Sequence, residues 1–208
     1  MDFYVINNNR FNDSKYAFGE SIDQKTGDFE ICEVCKSPIS MRRWLPPFNV
    51  KLSKPSYGDF VFGTFTTFLV SEVFKQKYES ADLKGILAFE PIDVVKVKRV
   101  KLLSPTPPQF YNVVVTRSKT RIDEVKSMFV RDGDVECDTC RTGGAISSFQ
   151  GVYLLQETWD RYDIFFPTGL PGTIVISQRF YDFVKENKFT NIDFVPAEQY
   201  AAPWAIEK

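Results

Sequence analysis

Four cysteines and no histidine occur in the 208 residues of this chain. The cysteines stand as two Cx2C pairs, CEVC at Cys32 and Cys35 and CDTC at Cys137 and Cys140. A thiolate pair at this spacing can turn back on itself and present both sulfurs to one cation. A structural zinc site takes four such ligands in a closed tetrahedron. Cys32, Cys35, Cys137 and Cys140 supply that number with none left over, so they are the expected ligands of one structural Zn2+ per chain. The 101 residues between the pairs exceed the separation of a compact finger, so the ion would clip distant segments together. Four thiolates leave no position for water, which makes such a site structural and not catalytic. A redox dithiol is the competing use, and it sits at a helix N-terminus. CEVCKSPIS and CDTCRTGG do not look like helix starts, and Pro38 and Gly143–Gly144 read as the ends of knuckle turns. Four cysteines serving only as small buried hydrophobes would not account for two equal spacings.

The stretches around the pairs resemble each other. GDFEICEVC begins at Gly27 and GDVECDTC at Gly133. Further on, Asp59-Phe-Val-Phe answers Asp163-Ile-Phe-Phe, Ser71-x-x-Phe74 answers Ser177-x-x-Phe180, and Phe89-Glu-Pro91 answers Phe194-Val-Pro196. Upstream, Phe3-Tyr4 answers Phe110-Tyr111. An offset near half the chain suggests two copies of one unit. On that reading each half donates one knuckle, and the metal lies on the axis between them. The expected halves are 1–104 and 105–208, joined near the stiff KLLSPTPPQFYN, with Pro105, Pro107 and Pro108.

Each unit reads as strand, helix, strand. Ser71 is the expected N-cap of a helix carrying Val73, Phe74 and Tyr78 on one face. Ser177 caps a second helix with Phe180, Phe183 and Val184 at i, i+3, i+4, and Asn187 is its expected left-handed stop. DFVFGTF, DIFFP and TIVI look extended, and the strands after the helices exit at Pro91 and Pro196. Val94 to Val100 alternates Val with Lys or Arg, the pattern of a half-buried strand. FYNVVVTRS is a strand, and RIDEVKSMFV fits either helix or strand. The expected class is therefore α+β, with mixed or antiparallel sheet and few helices.

Composition narrows function. Without histidine, no Ser–His–Asp or Cys–His machinery exists. No Walker A, dinucleotide fingerprint or HExxH occurs, and no catalytic residue is assigned. A net charge of −1 argues against a general nucleic-acid binder. MDFYVINNNRF lacks the charge and apolar pattern of a signal peptide, and no apolar run reaches spanning length, so a cytoplasmic, non-membrane protein is expected. Asp59 and Asp163 read as strand-start or turn residues. Trp44 with Pro46-Pro47, and Trp159 to Tyr162, read as core before interface. KVKRVK reads as a solvated strand face, though it leaves open a zinc-ribbon module acting on nucleic acid.

The paired Cx2C motifs, with the C-terminal ISQRFYDFVKENKFTNIDFVPAEQY, resemble the double-CxxCG immunity proteins of bacterial polymorphic toxin systems. The tail positions carrying the likeness are Ser177, Arg179, Phe180, Phe189, Ile192, Phe194 and Pro196. The resemblance implies a non-enzymatic protein that binds and neutralises a cognate toxin in the producing cell. It identifies neither the toxin nor the partner-binding residues, and the oligomeric state stays open. The family motif has Gly after each second cysteine. Here Lys36 and Arg141 stand in those places, with Gly143–Gly144 near the second pair only.

Overall fold

The computed structural model describes residues 2–7, 15–65 and 67–202. Met1 and residues 8–11 of the N-terminal stretch considered above lie outside them. In chain order the elements are β1 (Phe3–Ile6), β2 (Gly19–Ser21), β3 (Lys25–Thr26), β4 (Trp44–Leu45), β5 (Asn49–Leu52), β6 (Phe60–Phe62), β7 (Phe68–Ser71), α1 (Glu72–Ser80), β8 (Ile86–Pro91) and β9 (Asp93–Val97). There follow β10 (Phe110–Val115), β11 (Arg117–Arg121), β12 (Val130–Asp132), β13 (Ala145–Ser148), β14 (Ile164–Thr168), β15 (Val175–Ser177), α2 (Gln178–Glu186) and β16 (Phe194–Pro196). The fold is mostly sheet with two α-helices.

Two sheets dominate. One has the order β6-β7-β10-β8, the other β11-β14-β15-β1-β16. In each, a later or earlier strand is inserted between two others: β10 lies between β7 and β8, and β1, from the opposite end of the chain, lies between β15 and β16. The registers correspond. Phe110 faces Ser71 and Tyr111 faces Pro91, just as Phe3 faces Ser177 and Tyr4 faces Pro196.

Alternation along these strands feeds three cores. Phe68 and Val70 of β7 face the central core with α1 and α2, while Leu69 faces the other way. Tyr4 and Ile6 of β1 join the same central core, while Phe3 and Val5 enter the second. Both faces of these strands are covered, which is why FVF and FLVS read as continuous apolar runs rather than as alternation. The helices meet in the central core, where the Phe74 ring lies 6.3 Å from Phe180 and 5.8 Å from Phe183. Truncating a buried Phe of this kind to Ala typically costs about 3–5 kcal/mol. The third core holds Trp44 with Val50, Leu52, Val61, Leu69 and Phe110, under the small sheet β2-β5-β9.

The helix starts stand where the serines place them. Ser71 Oγ accepts from Phe74 N and Ser177 Oγ accepts from Phe180 N. Each serine in turn donates to an aspartate, Ser71 to Asp59 Oδ1 at 2.9 Å and Ser177 to Asp163 Oδ1 at 2.8 Å. The other oxygen of each carboxylate crosses the molecule. Asp59 Oδ2 accepts from Thr190 N at 2.9 Å and Thr190 Oγ1 at 2.7 Å; Asp163 Oδ2 accepts from Lys84 N at 3.0 Å. These two acids thus join a helix cap in one part of the chain to the loop after the helix in the other.

Several details differ from the sequence expectation. Val73 is 53% exposed, because Phe74 and Tyr78 alone define the buried face of the short α1. The stop of α2 is one residue later: Asn187 keeps φ −81°, and Lys188 takes the left-handed φ of 55°. Strand β9 ends at Val97, and its pairing with β5 slips between Val94 and Lys96. That irregularity turns Val95 outward at 53% exposure and lets Val94 and Val97 both pack on the third core. Residues 124–128 of RIDEVKSMFV form turns, closed by Ser127 N donating to Asp123 O. Trp44 is buried core, as expected.

Removing either crossing carboxylate strands a cap hydroxyl and a loop N–H. Asp59→Ala and Asp163→Ala are each expected to lower stability by about 2–4 kcal/mol, read from urea midpoints at unchanged m-value. A loss under about 0.5 kcal/mol in both would contradict the role given to them.

Candidate metal centre

Each Cx2C pair lies beyond the end of a two-stranded hairpin. The first extends from β3–β4, continued by Gly27 N to Arg43 O and Arg43 N to Asp28 O. Its base is held by Trp44 in the third core. The second extends from β12–β13, whose base is held by Phe129 and Ile146 against the second core.

The two turns are built alike. Lys36 N donates to Cys32 O at 3.0 Å and Cys32 N to Ser37 O at 2.9 Å. Arg141 N donates to Cys137 O at 2.8 Å and Cys137 N to Thr142 O at 3.3 Å. The residue after each second cysteine is left-handed, Lys36 at φ 62° and Arg141 at φ 60°. This is the position that favours glycine. The strained conformation is therefore retained without glycine in both turns, and Gly143–Gly144 does not relieve it in the second. Gly143 and Gly144 serve instead where the hairpin closes tightly: a Cβ on Gly143 would lie 2.4 Å from Glu136 N.

The four sulfurs converge, all within 4.8 Å of one another. Cys32 and Cys137 are 4.0 Å apart, Cys35 and Cys140 3.5 Å. Four sulfurs at about 2.3 Å from one ion in a tetrahedron would lie roughly 3.8 Å apart, so this donor set fits zinc. Both of these contacts run between the pairs. A redox dithiol closes within one motif, and neither motif opens a helix, so the geometry is that of a shared centre. Cys32 and Cys137 are buried and the other two half-buried. Hydrogen bonds from the side chain and backbone of Ser37 pull the Cys35 thiol down to about 5. A backbone hydrogen bond from Cys140 lowers Cys137, while burial pushes Cys140 up to about 11. Thr142 Oγ1 lies 3.1 Å from Cys140 Sγ and 3.7 Å from Cys35 Sγ, tying the two turns together beside the sulfurs.

The second turn is braced by an ionic group that its sequence did not reveal. Arg141 makes two contacts to Glu124, Nε to Oε1 at 2.9 Å and an η nitrogen to Oε2 at 3.1 Å. Arg131 adds two more to the same carboxylate, at 3.0 and 3.3 Å. Burial works to raise Glu124, but the hydrogen bonds from Arg141 and Arg131 outweigh it and hold the carboxyl below its ordinary value. Arg141 is raised in turn, chiefly by that hydrogen bond. The 17-residue separation of Glu124 and Arg141 leaves no local sequence signal.

A family model described as Immunity protein family (Imm11) matches residues 23–199, which include both cysteine pairs and the tail. The chain belongs to this immunity protein family. The Imm11 match thus extends the likeness seen in the two turns and the tail through the middle of the chain. No curated protein matches it. No helix among the described residues is long and apolar enough to cross a membrane.

Two measurements check this reading of the turns. Lys36→Gly relieves a left-handed side chain at an exposed site and is expected to change stability by between zero and about +1 kcal/mol. Arg141→Gly, at the same conformation, removes the clasp on Glu124 and is expected to cost about 1–3 kcal/mol. The depressed Glu124 gives a second check. Its contribution is present above the ordinary value of 4.5 and is lost as pH falls through the lower folded value. Unfolding midpoints of Glu124→Gln should therefore fall less steeply than those of the parent protein below about pH 4.5.

Proposed function

We propose that this Imm11 protein binds and neutralises a cognate protein toxin in the cytoplasm of the cell that makes it, with no turnover. The observation that carries the reading is the Imm11 match across residues 23–199. We propose further that Cys32, Cys35, Cys137 and Cys140 hold one structural Zn2+. A bound zinc would supply cross-linking and folding energy, since four thiolates leave no site for substrate or water.

The halves 1–104 and 105–208 are read as two copies of one unit that exchange their first strands. Three correspondences support this. The inserted strands β1 and β10 keep one register, the Asp–Ser–cap arrangement recurs at Asp59 and Asp163, and the left-handed residues 36 and 141 occupy the same place in each turn. The proposed ion would then join equivalent points of the two units.

A zinc-ribbon module for nucleic acid fits less well. The turns carry Glu33 beside Lys36 and Asp138 paired with Arg141 at 2.9 Å, so they offer phosphate no net basic surface.

Two assays test the reading. Protein prepared without chelator should contain one zinc per chain, and Cys32→Ser or Cys140→Ser should lose it along with several kcal/mol of stability. Zinc content near zero in fresh protein would remove the metal from the proposal. Co-expression with a toxin domain found in a neighbouring gene should restore growth and yield a co-purifying complex. Absence of rescue and of complex would sink the immunity reading.

A further inference from the structure

Between β9 and β10 the chain displays Lys98-Arg-Val-Lys-Leu-Leu-Ser-Pro105. Leu102 is 100% exposed and Leu103 94%, with Val100 at 59% beside them. Single exposed leucines carry no message, but an adjacent pair at a loop tip leaves a contiguous apolar projection in water. The projection is built. Ser104 N donates to Lys101 O at 2.9 Å, and Lys101 N donates to Ser104 Oγ at 2.7 Å. The two leucines are thereby the central residues of a doubly hydrogen-bonded turn. Behind the turn, Tyr57 Oη donates to Pro105 O at 3.1 Å, and Lys98 N donates to Leu52 O at 2.8 Å. Pro105, Pro107 and Pro108 stiffen the return to β10. A loop held this way gives up little conformational entropy on docking.

The charged side chains of the loop itself have one sign. Lys96, Lys98, Arg99 and Lys101 are exposed, and none makes an ion pair with a described residue. No acidic residue occurs between Asp93 and Asp123. The carboxylate Lys98 acts upon is Glu20, already bound to Lys51 at 2.8 Å. Phosphate recognition would use the cations and leave the leucines unexplained. An apolar anchor with a cationic rim matches a protein surface that offers an apolar pocket edged by carboxylates.

We propose that this turn is the docking element for the toxin: Leu102 and Leu103 enter an apolar pocket, and Lys96, Lys98, Arg99 and Lys101 pair with its acidic rim. The inference rests on the immunity reading above and adds the surface and the partner's chemistry.

The test uses the full chain and an inactivated form of the candidate toxin domain used for co-expression, with binding followed by biolayer interferometry. Leu102→Asp/Leu103→Asp should weaken affinity at least 100-fold. Lys98→Glu/Arg99→Glu/Lys101→Glu should slow association at least 10-fold and flatten its salt dependence. Val125→Asp changes a 90% exposed residue on a different turn and should bind as the parent does. All five side chains changed in the loop are solvent-exposed, so thermal midpoints should be unchanged. Parent-like affinity in both loop variants overturns the proposal and leaves the immunity reading standing. No binding by the parent protein overturns both. Loss with Val125→Asp alone places the interface elsewhere and overturns it. Leucine-dependent sedimentation with phosphatidylserine vesicles, with toxin affinity unchanged, assigns the loop to a membrane and also overturns it.

Discussion

The structure depends on β1 and β10 each lying between two strands that do not pair with each other, β1 at the opposite end of the chain from its partners β15 and β16. Without β10, β7 and β8 have no strand between them. Without β1, β15 and β16 are likewise parted. Both edges of an inserted strand are hydrogen-bonded and both of its faces are buried, so neither sheet is complete until remote segments meet. The crossing carboxylates follow from the same arrangement. Asp59 reaches Thr190 and Asp163 reaches Lys84 because each strand start is packed against the loop after the other helix. The central core, shared by Phe74 and Phe180, belongs to neither part of the chain alone.

The cysteine turns stand outside this interlocked body on two hairpins rooted in different cores, one by Trp44 and one by Phe129 and Ile146. Their convergence within 4.8 Å is therefore a consequence of the pose of the sheets. In the proposed zinc-bound form the ion would oppose any separation of the hairpins. The left-handed Lys36 and Arg141 show what holds the turns besides the sulfurs. Lys36 is tethered through its own ammonium to Glu33 O at 2.7 Å, whereas Arg141 is clasped by Glu124. The two turns have one backbone form but different supports.

Much of the local architecture was legible. Ser71 and Ser177 announced the two helices because an N-cap and its i+3 partner are neighbours in sequence. The equal cysteine spacing announced a four-thiolate cluster because ligand number and spacing are local properties. Less could be read where a distant partner decides the outcome. Val95 faces water because its strand slips against β5, and Val73 is exposed because the core reaches only one side of α1. Glu124 could not be connected to Arg131 and Arg141, since a charged residue in a turn carries no record of which cation will approach it.

The sequence by itself determined the two helices with their serine N-caps, the apolar strands beside them and the set of four thiols, all set by short-range chemistry. Only the tertiary structure decided that β1 lies between β15 and β16 and β10 between β7 and β8, that the four sulfurs meet, and that Leu102 and Leu103 stay in solvent. Each of these depends on which surfaces remain uncovered once the cores have closed, and that is a property of the packed chain and not of any window within it.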